Sequence, residues 1–224
     1  MTTLETAIAY TQLGIRVIPI RPGHKYPGID AWQTKATDDT DVVTSWFTGD
    51  YKSYGIGIAT GRTKYGQIFV VDVDDRDEYR GSDTLHDLEQ RYGALPETVT
   101  AITGTGGQHL YFYSPVEVRN DAGSRLGVGL DIRGEGGQVL AAPTVHPNGK
   151  QYQWVDGWSP MDRRPANAPQ WLLTLLTTNP QMVKPQGTTE SGSLLTQPPH
   201  RQDTVRKPHG EQLLIPDRLD TSQN

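Results

Sequence analysis

The sequence predicts an α+β fold of mostly antiparallel sheets flanked by helices. Two observations carry this. After Leu95-Pro96, β-rich segments follow one another with Gly-rich joints, and helical patterns are interspersed among the strands rather than alternating with them as in a doubly wound sheet.

Leu4, Ile8 and Leu13 mark a first helix, and a strand follows at Arg16–Ile20. Arg21–Gly28 is a loop by its Pro and Gly content. Asp39 or Thr40 caps a helix carrying Val42, Val43, Trp46 and Phe47. Tyr54–Ala59 is a strand ending at Thr60-Gly61. Ile68–Asp74 is the next, and a helix from Ser82 to Tyr92 buries Leu85 and Leu88. Thr98–Thr103, Gln108–Tyr113, Gly127–Arg133 and Gln138–Ala142 read as strands, with Tyr152-Gln153-Trp154 as one more. Trp171, Leu172, Leu175 and Leu176 form a closing helix. Residues 1–178 are thus expected to be globular. Beyond them Thr, Gln, Pro, Ser and Gly dominate, so 179–224 reads as a linker or tail, possible lead-in to a further domain, with Leu213-Leu214-Ile215 as an apolar island.

Composition narrows the function. The 224 residues hold one large domain, or one domain and a tail. Cysteine is absent, which excludes disulfides and thiolate zinc, so a metal here must use oxygen or imidazole ligands. Met1–Glu5 lacks the basic and apolar regions of a signal peptide, and no apolar stretch spans a bilayer. A cytoplasmic protein without membrane contact is expected. The net charge of −5 argues against bulk electrostatic coating of nucleic acid, though not against local contact by an enzyme. No Gly-Lys-Ser/Thr occurs, so the chain is not a P-loop ATPase.

Ile68-Phe69-Val70-Val71-Asp72-Val73-Asp74 is the most informative stretch. Side chains alternate across a strand, so Asp72 and Asp74 share one face and Phe69, Val71 and Val73 the other. Two carboxylates on one patch repel unless a cation lies between them, and hard oxygen ligands suit magnesium or manganese. An exposed acidic strand end is the plainer alternative. Downstream, Thr103-Gly104-Thr105-Gly106-Gly107-Gln108-His109 joins a Gly-rich turn, whose amides can approach an anion, to a strand histidine. Alternation groups His109 with Tyr111 and Tyr113, opposite Leu110 and Phe112, and so on the non-core side. Within Gly129–Arg133, Asp131 and Arg133 share a face; they read either as a third metal ligand with a phosphate-neutralising arginine or as a cross-strand ion pair. Gly134-Glu135-Gly136-Gly137 reads as the turn of a hairpin leading into Gln138–Ala142.

The order of these features resembles the three motifs of the archaeo-eukaryotic primase superfamily. The closer resemblance is to its bifunctional primase–polymerase domain, found in plasmid and phage replication proteins. Gly14–Ile20, Pro22–Pro27, Trp32 with Ala36-Thr37-Asp38, Gly57–Gly61, Thr103–Phe112 and Gly129–Gly137 all look like that domain, and the likeness runs from Ala7 to Trp154. It implies an RRM-like catalytic core with an N-terminal α/β unit. It also implies template-directed nucleotidyl transfer from NTP or dNTP to a 3′-hydroxyl, with two Mg2+ or Mn2+ ions and no zinc. Asp72, Asp74 and Asp131 would then be the metal ligands. His109, Gly106, Gly107 and Arg133, with Lys25 as a weaker candidate, would bind the nucleotide. Single-stranded DNA template is the implied partner, with a replicative helicase in cis or trans. The pattern departs at Ala141–His146, which matches a Pro-Pro-Ser-x-His motif only loosely, and no cysteine-ligated zinc insertion is present.

Three rivals compete with that reading. A glycosyltransferase also uses Asp-x-Asp to hold a metal, but requires neither the His109 strand nor the Asp131 strand. An aspartyl-nucleophile phosphatase wants Thr or Val where Arg76 stands. A DNA-binding module without catalysis gains nothing from acids that face phosphate.

Overall fold

A computed structural model describes residues 1–178. The tail and its apolar island, expected at 179–224, lie outside the described residues. In chain order the elements are α1 (Thr3–Gln12), β1 (Val17–Ile20), α2 (Trp32–Lys35), α3 (Thr40–Thr48), β2 (Gly55–Ala59), β3 (Gly61–Thr63), β4 (Gly66–Val73), β5 (Asp75–Arg76), β6 (Tyr79–Arg80) and α4 (Gly81–Tyr92). Then come β7 (Thr100–Ile102), β8 (Gln108–Ser114), β9 (Asp121–Ala122), β10 (Leu130–Arg133), β11 (Gln138–Ala141), β12 (Gln153–Trp154), β13 (Ala166–Asn167) and α5 (Gln170–Thr177).

The architecture is α+β, as the sequence predicts. The larger sheet runs β12-β7-β8-β4-β10-β9, with β3 also on β4 and β13 also on β8; the smaller runs β1-β2-β11. Among the described ladders only β13–β8 is parallel. No helix of the described residues is long and apolar enough to cross a membrane.

Local chemistry fixes the starts of α1 and α3. Thr2 and Glu5 form a reciprocal capping box on α1, and the Asp39 carboxylate accepts from the Asp41 and Val42 N–H groups to cap α3. The face of α1 differs from expectation. Ala7 and Tyr10 are fully buried, while Leu13 ends the helix and is exposed. The Tyr10 hydroxyl donates to the Ala142 carbonyl and accepts from the Trp154 indole, so its polar tip is satisfied inside the core.

β4 is buried on both faces. Phe69, Val71 and Val73 pack with Leu130, Ile132 and the α5 leucines Leu172, Leu173 and Leu176. Ile68 and Val70 pack with Tyr111, with Ile56 and Ile58 of the smaller sheet, and with Ala7, Tyr10, Val43 and Phe47 of α1 and α3. Each such side chain contributes about 1.5–3 kcal/mol by leaving water. This corrects the placement of His109 on a non-core side: His109 and Tyr111 are buried because the smaller sheet covers their face.

The Gly134–Gly137 turn is also corrected. It does not close a hairpin. β10 pairs with β4 in the larger sheet and β11 pairs with β2 in the smaller one. The turn carries the chain from one sheet to the other, and a cavity opens beside the crossing.

Candidate active site

Three adjacent strands set the site. Asp131 of β10 lies opposite Asp72 of β4, and Asp72 lies opposite His109 of β8. Directly opposed side chains in an antiparallel ladder have Cβ atoms about 4.5–5.5 Å apart. The three residues therefore form one row across the sheet.

Asp74 sits just past the end of β4, where glycines hold the backbone. Its N–H donates to the Gly129 carbonyl at 2.8 Å and its carbonyl accepts from the Gly81 N–H at 2.9 Å. Gly129 has φ +79°, and a Cβ there would lie 2.6 Å from the Gly81 Cα. Glycine is required at this crossing by both conformation and space.

Asp72, Asp74, His109, Asp131, Arg133 and Lys25 line one polar cavity of about 290 Å³. The structure thus brings together most of the residues singled out from sequence. Gly106 and Gly107 are not among them; they line a neighbouring hollow with Ser82 and His86. The Gly106 N–H is committed to the Thr103 carbonyl at 3.0 Å, so it closes the turn instead of facing an anion. What the turn presents to the cavity is Thr103 and Thr105, whose hydroxyls lie 2.9 Å apart.

Sequence reading missed several lining residues. Arg76, noticed only for being neither Thr nor Val, places Nη2 3.5 Å from Asp74 Oδ2. Tyr152 stacks its ring 5.5 Å from the His109 imidazole, tilted by 39°. Gln138 lines the far wall, and its Nε2 donates to the Lys25 carbonyl at 2.8 Å, tying the Lys25 loop to β11. Nothing in their local sequence marks Tyr152 or Gln138, since the contacts are long-range.

The charges are tightly arranged. Arg133 Nη2 stands 2.8 Å from Asp131 Oδ2 and 3.5 Å from Asp72 Oδ2, and His109 Nε2 stands 3.4 Å from Asp72 Oδ1. Burial alone would raise the Asp72 carboxyl, but the His109 hydrogen bond and the His109 and Arg133 charges outweigh it and hold the group below its usual range. Asp131 goes the other way. Burial raises it, Arg133 opposes, and the Asp72 and Asp74 charges add to the rise. Burial, then the same two carboxylates, pushes the Tyr152 phenol well above its ordinary value and keeps it protonated. His109 Nδ1 is buried and has no hydrogen-bond partner among the described residues.

Among the described residues, no group of three His, Cys, Asp or Glu side chains is arranged to hold a single ion. The expected three-carboxylate cradle is closed by guanidinium: Arg133 bridges Asp131 and Asp72, and Arg76 faces Asp74. The donor set nonetheless suits hard divalent cations. All three carboxylates line one cavity and offer oxygen ligands of the kind that such cations take.

Comparison with protein families gives a match over residues 7–171 to the model described as "Bifunctional DNA primase/polymerase, N-terminal". No curated protein matches the chain.

Proposed function

The chain belongs to the bifunctional DNA primase/polymerase family, and from this premise we propose how its residues divide the work of nucleotidyl transfer. Membership makes the chain a DNA primase/polymerase that uses a DNA template and nucleotides, and it sets aside the glycosyltransferase, phosphatase and silent-module readings. Enzymes of this class generally need divalent metal ions.

In this proposal Asp72, Asp74 and Asp131 hold the divalent cations. The observation that supports it best is the register Asp131–Asp72–His109 across β10, β4 and β8, with Asp74 beside it on the same cavity. Oxygen ligands favour magnesium or manganese, and without cysteine no thiolate zinc site can form. What a pair of such ions supplies when bound is a more acidic 3′-hydroxyl and compensation for the charge of the departing pyrophosphate.

The remaining roles belong to the chain itself. Arg133 is shared between two carboxylates, and is released toward phosphate oxygens as those carboxylates take other partners. His109 is oriented by the Tyr152 ring, and its Nε2, which faces Asp72 in this structure, turns to donate to the triphosphate as Asp72 takes another partner. The Thr103 and Thr105 hydroxyls take the anion-facing part expected of the Gly106-Gly107 amides. Lys25 faces the cavity from the opposite wall, where its ammonium meets the nucleotide phosphates. The 3′-hydroxyl of the growing strand, paired to the template, then attacks the α-phosphate in line, forming one P–O bond as the bond to pyrophosphate breaks. A plasmid or phage setting and a helicase partner rest on the family likeness alone.

Extension of a primed single-stranded template with magnesium, with manganese and with chelator tests the proposal. Incorporation is expected with either ion and is lost on chelation. Equal incorporation in chelator would overturn the metal assignment. The same assay on unprimed template measures initiation.

A further inference from the structure

A second concave region lies at the other end of the β4–β8 pair. It is a groove of about 730 Å³ that Tyr65, Tyr113, Arg164, Pro165, Asn167 and Gln170 help to line. A smaller adjoining hollow of about 130 Å³ shares Tyr65, Tyr113, Arg164 and Pro165 with it. None of the residues lining either hollow is an acid, in a chain with 26 Asp and Glu and a net charge of −5.

Arg164 here is arranged unlike the arginines of the active site. Arg164 is exposed and makes no ion pair among the described residues; its guanidinium lies 5.8 Å from the centre of the Tyr65 ring. The Lys64 ammonium lies 5.3 Å from that same ring and pairs with Asp38 Oδ2 at 3.4 Å, which leaves Arg164 as the guanidinium open to a ligand. Tyr65 is 56% exposed, a large flat ring held at the surface with cations beside it. Tyr113 lies half-buried in the wall, and the Asn167 and Gln170 amides are exposed nearby. Aromatic faces beside an unpaired guanidinium, in a groove lined by no carboxylate, match the stacking and phosphate contacts that hold single-stranded nucleic acid. Amides add donors and acceptors for base edges.

We propose that this groove is a second binding site for single-stranded DNA, with bases stacked on Tyr65 and Tyr113 and a phosphate on Arg164. The ligand class rests on the reading that the chain works on a DNA template; the groove itself is independent of the catalytic assignments. Gly66 at the groove and Asp72 at the active site are separated by roughly 20 Å along β4, whose middle is buried on both faces, so the two sites are distinct.

The test is binding of a fluorescein-labelled oligothymidylate to the full chain, read by anisotropy, with Tyr65→Ala and Arg164→Gln variants. Both side chains are exposed, and thermal melts verify that the fold is kept. Each variant is expected to weaken strand binding roughly tenfold, and Arg164→Gln also to flatten its salt dependence. Unchanged strand affinity in both variants overturns the proposal. So does a loss confined to free dTTP, which would make the groove a mononucleotide site. Binding that depends on Tyr65 and Arg164 in a chain that never extends a primer would refute the catalytic reading and leave the groove standing. Primer extension by a chain whose strand binding ignores both residues would refute the groove alone.

Discussion

The two ends of the β4–β8 pair handle positive charge in opposite ways. At the Asp72 end both arginines face carboxylates: Arg133 meets Asp131 and Asp72, and Arg76 meets Asp74. At the Gly66 end Arg164 lies against a tyrosine ring, and no acid lines the groove. Between them the Phe69 and Phe112 rings, directly paired across the ladder with centres 5.9 Å apart, form an apolar middle. One strand pair can therefore carry an end suited to exchanging cations and an end suited to stacking, because a fixed hydrophobic stretch keeps the two apart.

Asp72→Asn gives the largest expected effect. Template-directed incorporation should fall more than roughly a hundredfold, while oligothymidylate binding at the groove stays as it was. If both readouts fell together, the two ends would not be separable. Gly129→Ala comes next. Its φ of +79° and the 2.6 Å approach to Gly81 put the cost near ~2–4 kcal/mol, read as a lowered denaturation midpoint, with incorporation reduced because Asp74 shifts. An unchanged midpoint would show that the crossing tolerates a side chain.

Arg133→Met sharpens the contrast in the treatment of cations. Removing a half-exposed guanidinium that occupies Asp131 and Asp72 should raise manganese affinity roughly fivefold in calorimetry without nucleotide, while the nucleotide KM rises. Manganese binding as weak as in the native chain would mean that Arg133 does not compete for those oxygens.

The smallest effect is expected beside the groove. Asp162 accepts from the Ser159 hydroxyl at 2.6 Å and from its N–H at 3.1 Å. The hydroxyl bond, then the backbone bond, holds this carboxyl below its usual range, with burial opposing and Arg163 adding to the depression. A depressed carboxylate contributes stability that is present above its unfolded value and is lost as pH falls through its folded value. Asp162→Asn should therefore lower Tm slightly at neutral pH, and the gap should close in acid. A gap that persists in acid would mean that the anchoring does not depend on the charge.

Much of this was legible in the chain. Period-two alternation put Asp72 with Asp74 and Asp131 with Arg133, and capping residues placed α3. Three things were not. Alternation separates the two faces of β8 but does not say that both are covered, so His109 was placed on the wrong kind of face. Gly134–Gly137 has the composition of a hairpin turn, and only long-range pairing shows that β11 belongs to the other sheet. The register that aligns Asp131, Asp72 and His109 depends on pairings across large sequence separations, which no local pattern encodes.

The sheet-to-sheet passage at Gly134–Gly137 has one more consequence. The floor of the cavity comes from the larger sheet, with Asp72, His109 and Asp131. Part of its ceiling comes from Gln138, Val139 and Leu140 of the smaller, with Lys25 roped to them. On the proposed assignment, the carboxylates and the wall above them thus belong to different sheets. Substitutions in β11 can therefore alter the shape of the cavity while the register of β10, β4 and β8 stays fixed.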